Sequence, residues 1–257
     1  MSLAGRTALV TGGGRGIGAA IAERLALEGA RVAVAARSLD QVEAVAASLR
    51  ERGAEAAAFA CDVTVEDEVA RLVRETEAAL GPVDVLVCNA GAATSAPLDR
   101  TTLDDWNRML AVNATGPFLC VRAVLDGMTS RCWGRVVVVA SVAGLAGARY
   151  ISAYAASKHA AVGLVRVAAA EAARGVTVNA VCPGYVDTEM TRETIRRIVE
   201  TTGADEAGAR DALLRRSPQR RLIEPAEVAH AVASLCAEEA RGIHGQCVVI
   251  DGGETMR

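Results

Sequence analysis

Residues 7–27 read TALVTGGGRGIGAAIAERLAL. The apolar run Thr7–Val10 predicts a short strand, and the spacing of apolar residues in Ile17–Leu27 predicts a helix. Between them lies a glycine-rich turn. Glycines let a backbone turn tightly and approach a pyrophosphate, whose charge then meets the N-terminus of the helix. The stretch therefore predicts a dinucleotide-binding unit, with candidate cofactor contacts at Gly12, Arg15, Gly16, Ile17 and Gly18.

The alternation of strand and helix continues along the whole chain. Further strands are predicted at Val32–Ala36, Ala56–Ala60, Val83–Val87, Arg135–Ala140, Val176–Val181 and Cys247–Ile250. Further helices are predicted at Leu39–Arg52, Val65–Leu80, Leu103–Met128, Ser152–Arg174, Thr191–Arg216 and Ala226–Cys236. Strands that alternate with helices of this length form a parallel sheet with helices on both faces. We therefore expect an α/β fold of this kind.

Length and composition indicate one large domain and exclude several functional classes. The chain has 257 residues, of which 51% are hydrophobic and 23% are charged, so it is not a disordered protein. Its formal net charge of −3 provides no basic field for nucleic acid. The longest nearly uncharged stretch, Val136–Ala148, is shorter than the about 20 apolar residues that a membrane span needs. The N-terminal residues lack the pattern of a signal peptide.

The cysteines and histidines predict no metal site. Seven cysteines are scattered along the chain without a C-x-x-C pair, which favours buried thiols in a reducing cytoplasm over a metal-bound or catalytic cysteine. We therefore expect a cytoplasmic protein. The three histidines, His159, His230 and His244, fit no metal-ligand pattern.

The end of the second strand predicts which dinucleotide binds. A carboxylate there would bind both ribose hydroxyls and repel a 2′-phosphate, but residues 34–38 read VAARS and no acid occurs before Asp40. Arg37, with Arg15 from the glycine-rich turn, can pair with a phosphate dianion. NADP(H) is therefore the preferred cofactor and NAD(H) is possible. The alternative is that both arginines are solvated surface residues.

A tyrosine and a lysine lie four residues apart in the segment YAASK, residues 154–158. On a helix, Tyr154 and Lys158 therefore share a face. A cation about 5 Å from a phenol stabilises the phenolate by roughly 3 kcal/mol, or about two pKa units, which predicts a proton donor or acceptor near neutral pH. Lys158 is the single lysine among 28 basic residues, either by chance or because this position needs a compact ammonium.

Polar residues follow two of the predicted central strands. Ser141 comes directly after the apolar run RVVVVA, and Asn89-Ala90-Gly91 ends the preceding strand. Ligands of open parallel sheets bind beyond the carboxyl ends of the strands, so Ser141 is placed to bind a substrate oxygen. Asn113 lies within a predicted helix, where asparagine is a mediocre helix former.

Taken together, these motifs resemble those of the short-chain dehydrogenase/reductase family over nearly the whole chain. The matching segments are TGGGRGIG at 11–18, NAG at 89–91, Asn113, Ser141, YAASK at 154–158 and CPG at 182–184. The resemblance implies a single-domain Rossmann-type doubly wound parallel sheet of about seven strands with helices on both faces, assembled as a homotetramer or homodimer.

The resemblance also implies residue roles. Tyr154 would be the general acid/base, Lys158 would hold the nicotinamide ribose and lower the pKa of Tyr154, and Ser141 would orient the substrate carbonyl. Asn113 would anchor a water that links Lys158 to solvent. The further cofactor contacts would be Asp62 and Val63 at the adenine, Asn89, Ala90 and Gly91 beside the ribose, and Pro183, Gly184, Val186 and Thr188 at the nicotinamide.

Apolar residues thin out and charges crowd between Thr191 and Arg221. We interpret this region as part of a substrate lid at about residues 186–221 of a single domain spanning 1–257. Its arginines could bind an anionic carrier such as CoA or acyl-carrier phosphopantetheine, or they could form a solvated surface with Glu193, Glu200 and Asp205 as counter-charges. The arginines are Arg192, Arg196, Arg197, Arg210, Arg215, Arg216, Arg220 and Arg221.

The predicted function is NADPH-dependent reduction of a ketone to a secondary alcohol, by hydride transfer with Tyr154 as proton donor. The lid and the segment SPQRRLIEPAEVA, residues 217–229, resemble the 3-oxoacyl-thioester and polyketide ketoreductase branches of the family. The substrate would then be a 3-oxoacyl-ACP, 3-oxoacyl-CoA or polyketide-type compound. The alternatives are an alcohol or 3-hydroxyacyl-CoA dehydrogenase working oxidatively and, with less support, a non-catalytic dinucleotide-binding scaffold.

Overall fold

The computed structural model describes residues 3–172 and 174–256. Within them, seven strands form one parallel sheet in the order β3-β2-β1-β4-β5-β6-β7. The Rossmann-type α/β fold is thereby confirmed, and each predicted strand is present. The strands are β1 (Thr7–Thr11), β2 (Arg31–Ala36), β3 (Ala56–Ala60), β4 (Val83–Cys88), β5 (Gly134–Val139), β6 (Val176–Pro183) and β7 (Cys247–Ile250).

Helices connect the strands. They are α1 (Gly16–Leu27), α2 (Leu39–Glu51), α3 (Glu66–Leu80), α4 (Leu103–Leu110), α5 (Gly116–Ser130), α6 (Ser152–Glu171), α7 (Glu189–Thr202), α8 (Glu206–Leu214) and α9 (Pro225–Cys236). The helix predicted at Ser152–Arg174 ends earlier, at Glu171, and Ala173 lies outside the described residues.

The central strands separate two apolar layers. Successive side chains of a strand point to opposite faces, so Leu9 of β1 packs in one layer, and Ala8 and Val10 pack in the other. The first layer contains buried residues of α3, α5 and α6, and the second contains those of α1, α2 and α9. Because both faces are covered, β1, β4 and β5 are buried along their whole length.

The strand order reverses direction at the centre of the sheet. From β1 the chain proceeds to β2 and β3 on one side, and it then returns to β4 on the other side of β1. At such a reversal the connections after the two strands diverge and leave a crevice beyond their carboxyl ends. The glycine-rich turn after β1 and the Asn89-Ala90-Gly91 segment after β4 meet at this point.

The long helix predicted over Leu103–Met128 is present as a helical run, Leu103–Ser130, but its geometry changes in the middle. A π-helical turn at Ala111–Thr115 separates α4 from α5, and it contains Asn113. A π turn adds one residue to a helix and occurs often at functional sites. Here Asn113 is 1% exposed and hydrogen-bonds the backbone of Ala92, which explains why regular helical geometry gives way at this position.

By length and composition, one helical run among the described residues, Leu103–Ser130, is apolar enough to cross a membrane. In this fold, however, Leu119, Val121, Val124 and Met128 of the run are buried in the layer against the sheet. Such burial is typical of a core helix of a globular domain.

The helical region predicted at Thr191–Arg216 is present as two helices, α7 and α8. Gly203 ends α7 in the left-handed conformation, with φ of 72°, which glycine adopts without steric cost. Asp205 then caps α8 by accepting a hydrogen bond from the Gly208 N–H at 2.8 Å. The break folds the region into a helical hairpin.

Candidate active site

The glycine-rich turn packs directly against the segment after β4. Gly12 has φ of 64°, and a Cβ there would lie 2.8 Å from the Ala90 Cα. A Cβ at Gly18 would lie 2.1 Å from the Gly12 carbonyl oxygen. Side chains at these two positions would clash with the backbone of the turn or of the segment after β4, so glycine permits the close packing that is typical of a dinucleotide-binding turn.

Asn89 locks these two segments together. Its Nδ2 donates to the carbonyl oxygens of Thr11 and Gly12, both at 3.0 Å. The Thr11 hydroxyl accepts from the backbone N–H groups of Asn89 and Ala90, at 3.1 and 3.2 Å. Asn89 thus shapes the turn.

Asn113 connects the same segment to α6. Its Oδ1 accepts from the Ala92 N–H at 3.0 Å, and its Nδ2 donates to the Ala92 carbonyl at 2.9 Å and to the Ser157 hydroxyl at 3.0 Å. A Cβ at Gly91 would lie 3.3 Å from the Asn113 Oδ1 and 3.7 Å from the Lys158 Nζ. Gly91, Asn113 and Lys158 therefore form one cluster. Within it, both N–H groups of the Asn113 amide donate to protein atoms, the Ala92 carbonyl and the Ser157 hydroxyl.

Lys158 is a buried cation with one hydrogen-bond acceptor. It is 6% exposed, and its Nζ donates to the Val139 carbonyl at 3.0 Å. No carboxylate lies within ion-pair distance of it among the described residues. Burial lowers the pKa of Lys158 from 10.5 to about 8, because an ammonium loses hydration there without an opposite charge to replace it.

Tyr154 lies beside Lys158, as the sequence predicts. The Lys158 Nζ is 5.9 Å from the centroid of the Tyr154 ring. The predicted decrease in the pKa of Tyr154 is wrong for the ligand-free chain: burial raises that pKa, and the neighbouring Ser141 hydroxyl opposes the rise. The prediction from the sequence considered only the attraction between the charges, whereas desolvation of the phenolate dominates at this half-buried position.

Ser141 follows β5 at the edge where the predicted site lies. Its Oγ accepts a hydrogen bond from the Ala143 N–H at 3.1 Å. This contact fixes the oxygen and leaves the hydroxyl hydrogen available as a donor. Ser141 is 8% exposed, so a substrate oxygen bound there would be shielded from water.

Arg15 and Arg37 lie at the mouth of the glycine-rich turn. Both are exposed, and neither makes a salt bridge or side-chain hydrogen bond within residues 3–172 and 174–256. Arg37 helps to lower the pKa of Asp62, although the Thr64 N–H is the main cause. Asp62 accepts from the Thr64 N–H and hydroxyl at 2.9 and 2.7 Å. Val63 is buried, and its Cγ2 would lie 2.8 Å from a Cβ at Gly116.

The segment after β6 reaches the same crevice. The Gly184 N–H donates to the Ile250 carbonyl at 2.9 Å, and Val186 forms an isolated bridge with Ile223. The Cγ2 of Thr188 would lie 3.3 Å from a Cβ at Gly16. Thr188 therefore lies against the glycine-rich turn, so the predicted residues from the first and last parts of the site are brought together.

Three residues near Tyr154 were not predicted as site residues. Cys182 receives a hydrogen bond from the Ser141 backbone and has its pKa raised to about 12, mainly by burial. Tyr185 helps to raise the pKa of Tyr154, and burial raises its own pKa. Glu254 lies 3.7 Å from Arg216 and helps to raise the pKa of Tyr185. The position of Tyr185 directly after Pro183-Gly184 was the available sequence signal, while the position of Glu254 depends on the fold.

Most lid arginines have polar partners. Arg192 pairs with Asp187 at 3.0 Å, Arg196 with Glu189 at 2.6 Å, and Arg220 with Asp211 at 2.9 Å. Further pairs join Arg197 to Glu193, Arg216 to Glu254 and Arg221 to Glu227. Arg197 also donates to the Ser95 hydroxyl at 3.2 Å, which links α7 to the segment after β4.

The described cysteines are free thiols. Five are buried, Cys247 is half-buried and Cys132 is exposed. No group of three or more His, Cys, Asp or Glu side chains that could hold a metal ion occurs in the part of the chain that the structure describes.

Comparison with known proteins shows that the chain is similar to members of one protein family over most of its length. The family model for the short chain dehydrogenases matches residues 6–198. The chain is 39% identical to a putative ketoacyl reductase of Streptomyces coelicolor, with 96% of this chain and 95% of the relative covered. It is 37% identical to an acetoacetyl-CoA reductase of Shinella zoogloeoides, with 97% and 98% covered.

A solved structure is also similar. It is a crystal structure of a variant of actinorhodin polyketide ketoreductase with NADPH, which superposes with a TM-score of 0.93 at 38% identity and covers 97% of each chain.

Proposed function

Because the chain belongs to the short-chain dehydrogenase family, we propose that it prefers NADP(H) and reduces a ketone to a secondary alcohol. Membership makes it an NAD(P)-dependent oxidoreductase acting on carbonyl and hydroxyl groups. Its relatives reduce ketoacyl compounds, and the similar crystal structure contains NADPH. The observation that carries the proposal is the meeting of Ser141, Tyr154 and Lys158 beside the glycine-rich turn.

The residues present fit a bound dinucleotide. Gly12 and Gly18 allow the turn at the N-terminus of α1 to pack closely on itself and on the segment after β4, as a dinucleotide-binding turn requires, and Asn89 holds the turn in shape. Arg15 and Arg37, which lack carboxylate partners in the described structure, would bind the 2′-phosphate. Ile17, Asp62, Val63, Ala90 and Gly91 would complete the adenosine side, with Pro183, Gly184, Val186 and Thr188 on the nicotinamide side.

When bound, the reduced nicotinamide supplies a hydride to the carbonyl carbon. Ser141 donates a hydrogen bond to the carbonyl oxygen, and Tyr154 transfers its hydroxyl proton to the forming alkoxide. Lys158 stabilises the resulting phenolate as long as the lysine ammonium is charged. Asn113 fixes the backbone of Ala92, which follows Gly91 next to the Lys158 Nζ. The pKa of Tyr154, raised by burial, keeps the hydroxyl protonated before substrate binds, which is the state from which reduction starts.

A 3-oxoacyl thioester or a polyketide-type ketone is the proposed substrate type, since both named relatives act on ketoacyl compounds. The oxidative alternative, an alcohol or 3-hydroxyacyl-CoA dehydrogenase, would need Tyr154 to start as phenolate. We propose that the lid at residues 186–221 covers the substrate within one domain spanning residues 1–257.

We further propose that the protein is a cytoplasmic homotetramer or homodimer. The free thiols agree with a reducing compartment. Trp106 and Phe118 leave 37% and 42% of their surface exposed on α4 and α5, which is typical of a face that another subunit covers. Sedimentation of the purified protein at several concentrations tests the assembly.

A substrate panel tests the function directly. The purified protein is offered ketones with NADPH and with NADH, and the corresponding alcohols with NADP⁺ and NAD⁺, while the absorbance of the reduced nicotinamide is followed. We expect consumption of NADPH with 3-oxo compounds. Faster turnover of alcohols at neutral pH would favour the oxidative alternative, and tight cofactor binding without any turnover would favour the scaffold.

A further inference from the structure

A buried hydroxyl between Asn113 and Tyr154 takes no part in the proposed chemistry. Ser157 is 0% exposed. Its Oγ donates to the Tyr154 carbonyl at 2.7 Å and accepts from the Asn113 Nδ2 at 3.0 Å. A bond from a serine to the carbonyl three residues earlier is common inside helices. The second bond is different, because its donor belongs to another element, and the single hydroxyl hydrogen fixes the direction of both bonds.

These two hydrogen bonds join two parts of the candidate active site. Asn113 lies in the π turn and is paired with the backbone of Ala92 through both amide atoms of its side chain. Ser157 belongs to the turn of α6 that carries Tyr154 and Lys158. The Ser157 hydroxyl therefore ties the π turn to the part of the helix that supplies the proton donor and the buried ammonium.

The same turn of α6 also packs against the segment that follows Ser141. A Cβ at Gly144 would lie 2.7 Å from the Lys158 carbonyl oxygen, so the two backbones are in direct contact there. Backbone packing thus positions this turn of the helix against the Ser141 segment. The hydrogen bond between Asn113 and Ser157 positions it against the π turn.

Removal of the Ser157 hydroxyl would leave a buried amide N–H of Asn113 without its acceptor. A buried donor without a partner is costly, so the π turn and the start of α6 would rearrange to satisfy it. Such a rearrangement affects proton transfer, because displacement of reacting groups by about 1 Å can slow a reaction about 100-fold. The Lys158 Nζ lies 5.9 Å from the centroid of the Tyr154 ring, and this separation determines how strongly the ammonium stabilises the phenolate.

We propose that Ser157 is a positioning residue. Its hydroxyl holds the π turn, through Asn113, at the distance from α6 at which Lys158 supports proton transfer by Tyr154. Ser157 acts through these residues and not on the substrate, because it is fully buried. The inference rests on the proposed ketone reduction and adds a residue on which the rate of that reduction depends.

The first experiment compares Ser157→Ala with Thr7→Val in the reduction of a ketone by NADPH. Thr7 is the matched control, because its hydroxyl is also in a residue that is 0% exposed and donates to a carbonyl, that of Leu80, at 2.8 Å. Thr7 is the first residue of β1, at the end of the strand away from the glycine-rich turn. We expect kcat to fall about tenfold in Ser157→Ala and to stay within about twofold of the wild type in Thr7→Val.

Binding separates positioning from a general loss of structure. In Ser157→Ala, KM for the ketone and the affinity for NADPH should stay within about twofold of the wild type, because the binding groups remain in place. Wild-type kcat in Ser157→Ala would overturn the proposal. Equal losses of kcat in Ser157→Ala and Thr7→Val would also overturn it, since any lost buried hydrogen bond would then have the same effect.

A second pair of variants separates the hydroxyl from the volume of the side chain. Ser157→Thr keeps the hydroxyl, and Ser157→Val has nearly the same shape as Ser157→Thr without it. We expect kcat of Ser157→Thr to exceed that of Ser157→Val at least about fivefold, since only the threonine hydroxyl can accept from Asn113. Equal kcat in the two variants would contradict the proposal.

A double-mutant cycle tests whether Ser157 acts through Asn113. Ser157→Ala should lower kcat about tenfold in the wild-type background and less than about twofold in the Asn113→Ala background, because residues that share one interaction do not have additive effects. Losses that multiply in the double variant would show that Ser157 acts independently of Asn113 and would contradict the proposal.

Failure of this inference is distinguishable from failure of the proposed function. Absence of NADPH consumption by the wild type with every ketone would contradict the proposed function itself. Reduction of ketones at the same rate by the wild type and by Ser157→Ala would leave the proposed function standing and would remove only the positioning role of Ser157.

Discussion

Two buried cations at opposite ends of the central sheet have very different surroundings. Arg135, at the start of β5, is 1% exposed, and it donates to the carbonyls of Gly134 and Gly175 at 2.9 and 3.0 Å and pairs with Glu238 at 3.2 Å. Lys158, near the carboxyl end of the same strand, has one carbonyl partner, Val139. One end of β5 gives its cation three acceptors, although the Arg135 Nε has no partner in the described part of the chain, whereas the other end gives its cation one.

Aromatic contacts increase the contrast. The guanidinium groups of Arg6 and Arg135 lie 3.7 and 4.4 Å from the centroid of the Trp133 ring, an arrangement that stabilises cations. The Trp133 Nε1 also donates to Glu238 at 3.0 Å. The comparison shows that the Arg135 charge is occupied by several protein groups, while the Lys158 charge, with a single partner, remains available for a ligand or a proton.

Within the comparison of the two cations, the largest expected difference is in catalytic activity. Lys158→Met should reduce kcat at least about 100-fold, because the phenolate of Tyr154 loses its stabilising charge. Arg135→Met, which removes a cation of similar burial, should leave kcat within about twofold, since the guanidinium lies at the opposite end of β5 from the reacting groups. Steady-state kinetics with NADPH and a ketone measures both, and equal losses would remove the functional distinction.

The same contrast extends to exposed arginines. Arg37 has no carboxylate partner in the described structure, whereas Arg50 pairs with Glu43. Arg37→Asp should shift the ratio of kcat/KM for NADPH over NADH towards NADH by about 30-fold or more, because a carboxylate repels the 2′-phosphate and binds ribose hydroxyls. Arg50→Asp is the control and should leave the ratio unchanged. An unaltered ratio in Arg37→Asp would exclude it from phosphate binding.

Lys158→Met, which should lose activity, should gain stability, whereas Arg135→Met, which should keep activity, should lose stability. The pKa of Lys158 is about 8 when folded, against an ordinary 10.5, so burying its charge costs up to about 3 kcal/mol at neutral pH. Lys158→Met should therefore raise the free energy of unfolding by about 1–2 kcal/mol after the loss of the bond to Val139. Arg135→Met should lower it by about 1–2 kcal/mol, since the buried Gly134 carbonyl loses the Arg135 donor, whereas the exposed Gly175 carbonyl keeps the Gly134 N–H. Denaturant unfolding of both variants and the wild type measures these two changes in the free energy of unfolding.

Much of the fold could be predicted because buried parallel strands are continuous apolar runs, as in RVVVVA before Ser141. The π turn at Asn113 could not be predicted, because one inserted residue hardly changes the spacing of the apolar residues along the helix. The helical prediction did not place the break at Gly203, although Thr202 and Asp205 beside it are poor helix formers. The contact of Tyr154 with Lys158 follows from helical spacing alone. The direction of the pKa shift of Tyr154 does not follow from the spacing, because the desolvation of the phenol depends on the parts of the fold that pack around it.

The smallest expected effect is a pH dependence. Below pH 8 Lys158 is protonated in both the folded and unfolded chain. Between about 8 and 10.5 the unfolded chain binds more protons, so the contribution of Lys158 to stability rises with pH. The stability advantage of Lys158→Met should therefore shrink over this range. In the same range kcat/KM of the wild type should fall as the ammonium is lost, by up to about tenfold per pH unit.

Arg135 provides the control for that profile. A guanidinium keeps its proton throughout this range, so the difference in stability between Arg135→Met and the wild type should not depend on pH. A difference that varies equally for both variants would show that Lys158 does not titrate near pH 8.

The central claim is that Tyr154, beside Lys158 and Ser141, transfers the proton in a dinucleotide-dependent reduction. The most direct measurement is NADPH consumption by Tyr154→Phe with a good ketone, together with NADPH binding followed by its fluorescence. We expect kcat to fall by at least about 1,000-fold, because no proton donor remains for the alkoxide, while NADPH binds within a few-fold of the wild type. Turnover of Tyr154→Phe at the wild-type rate would contradict the account.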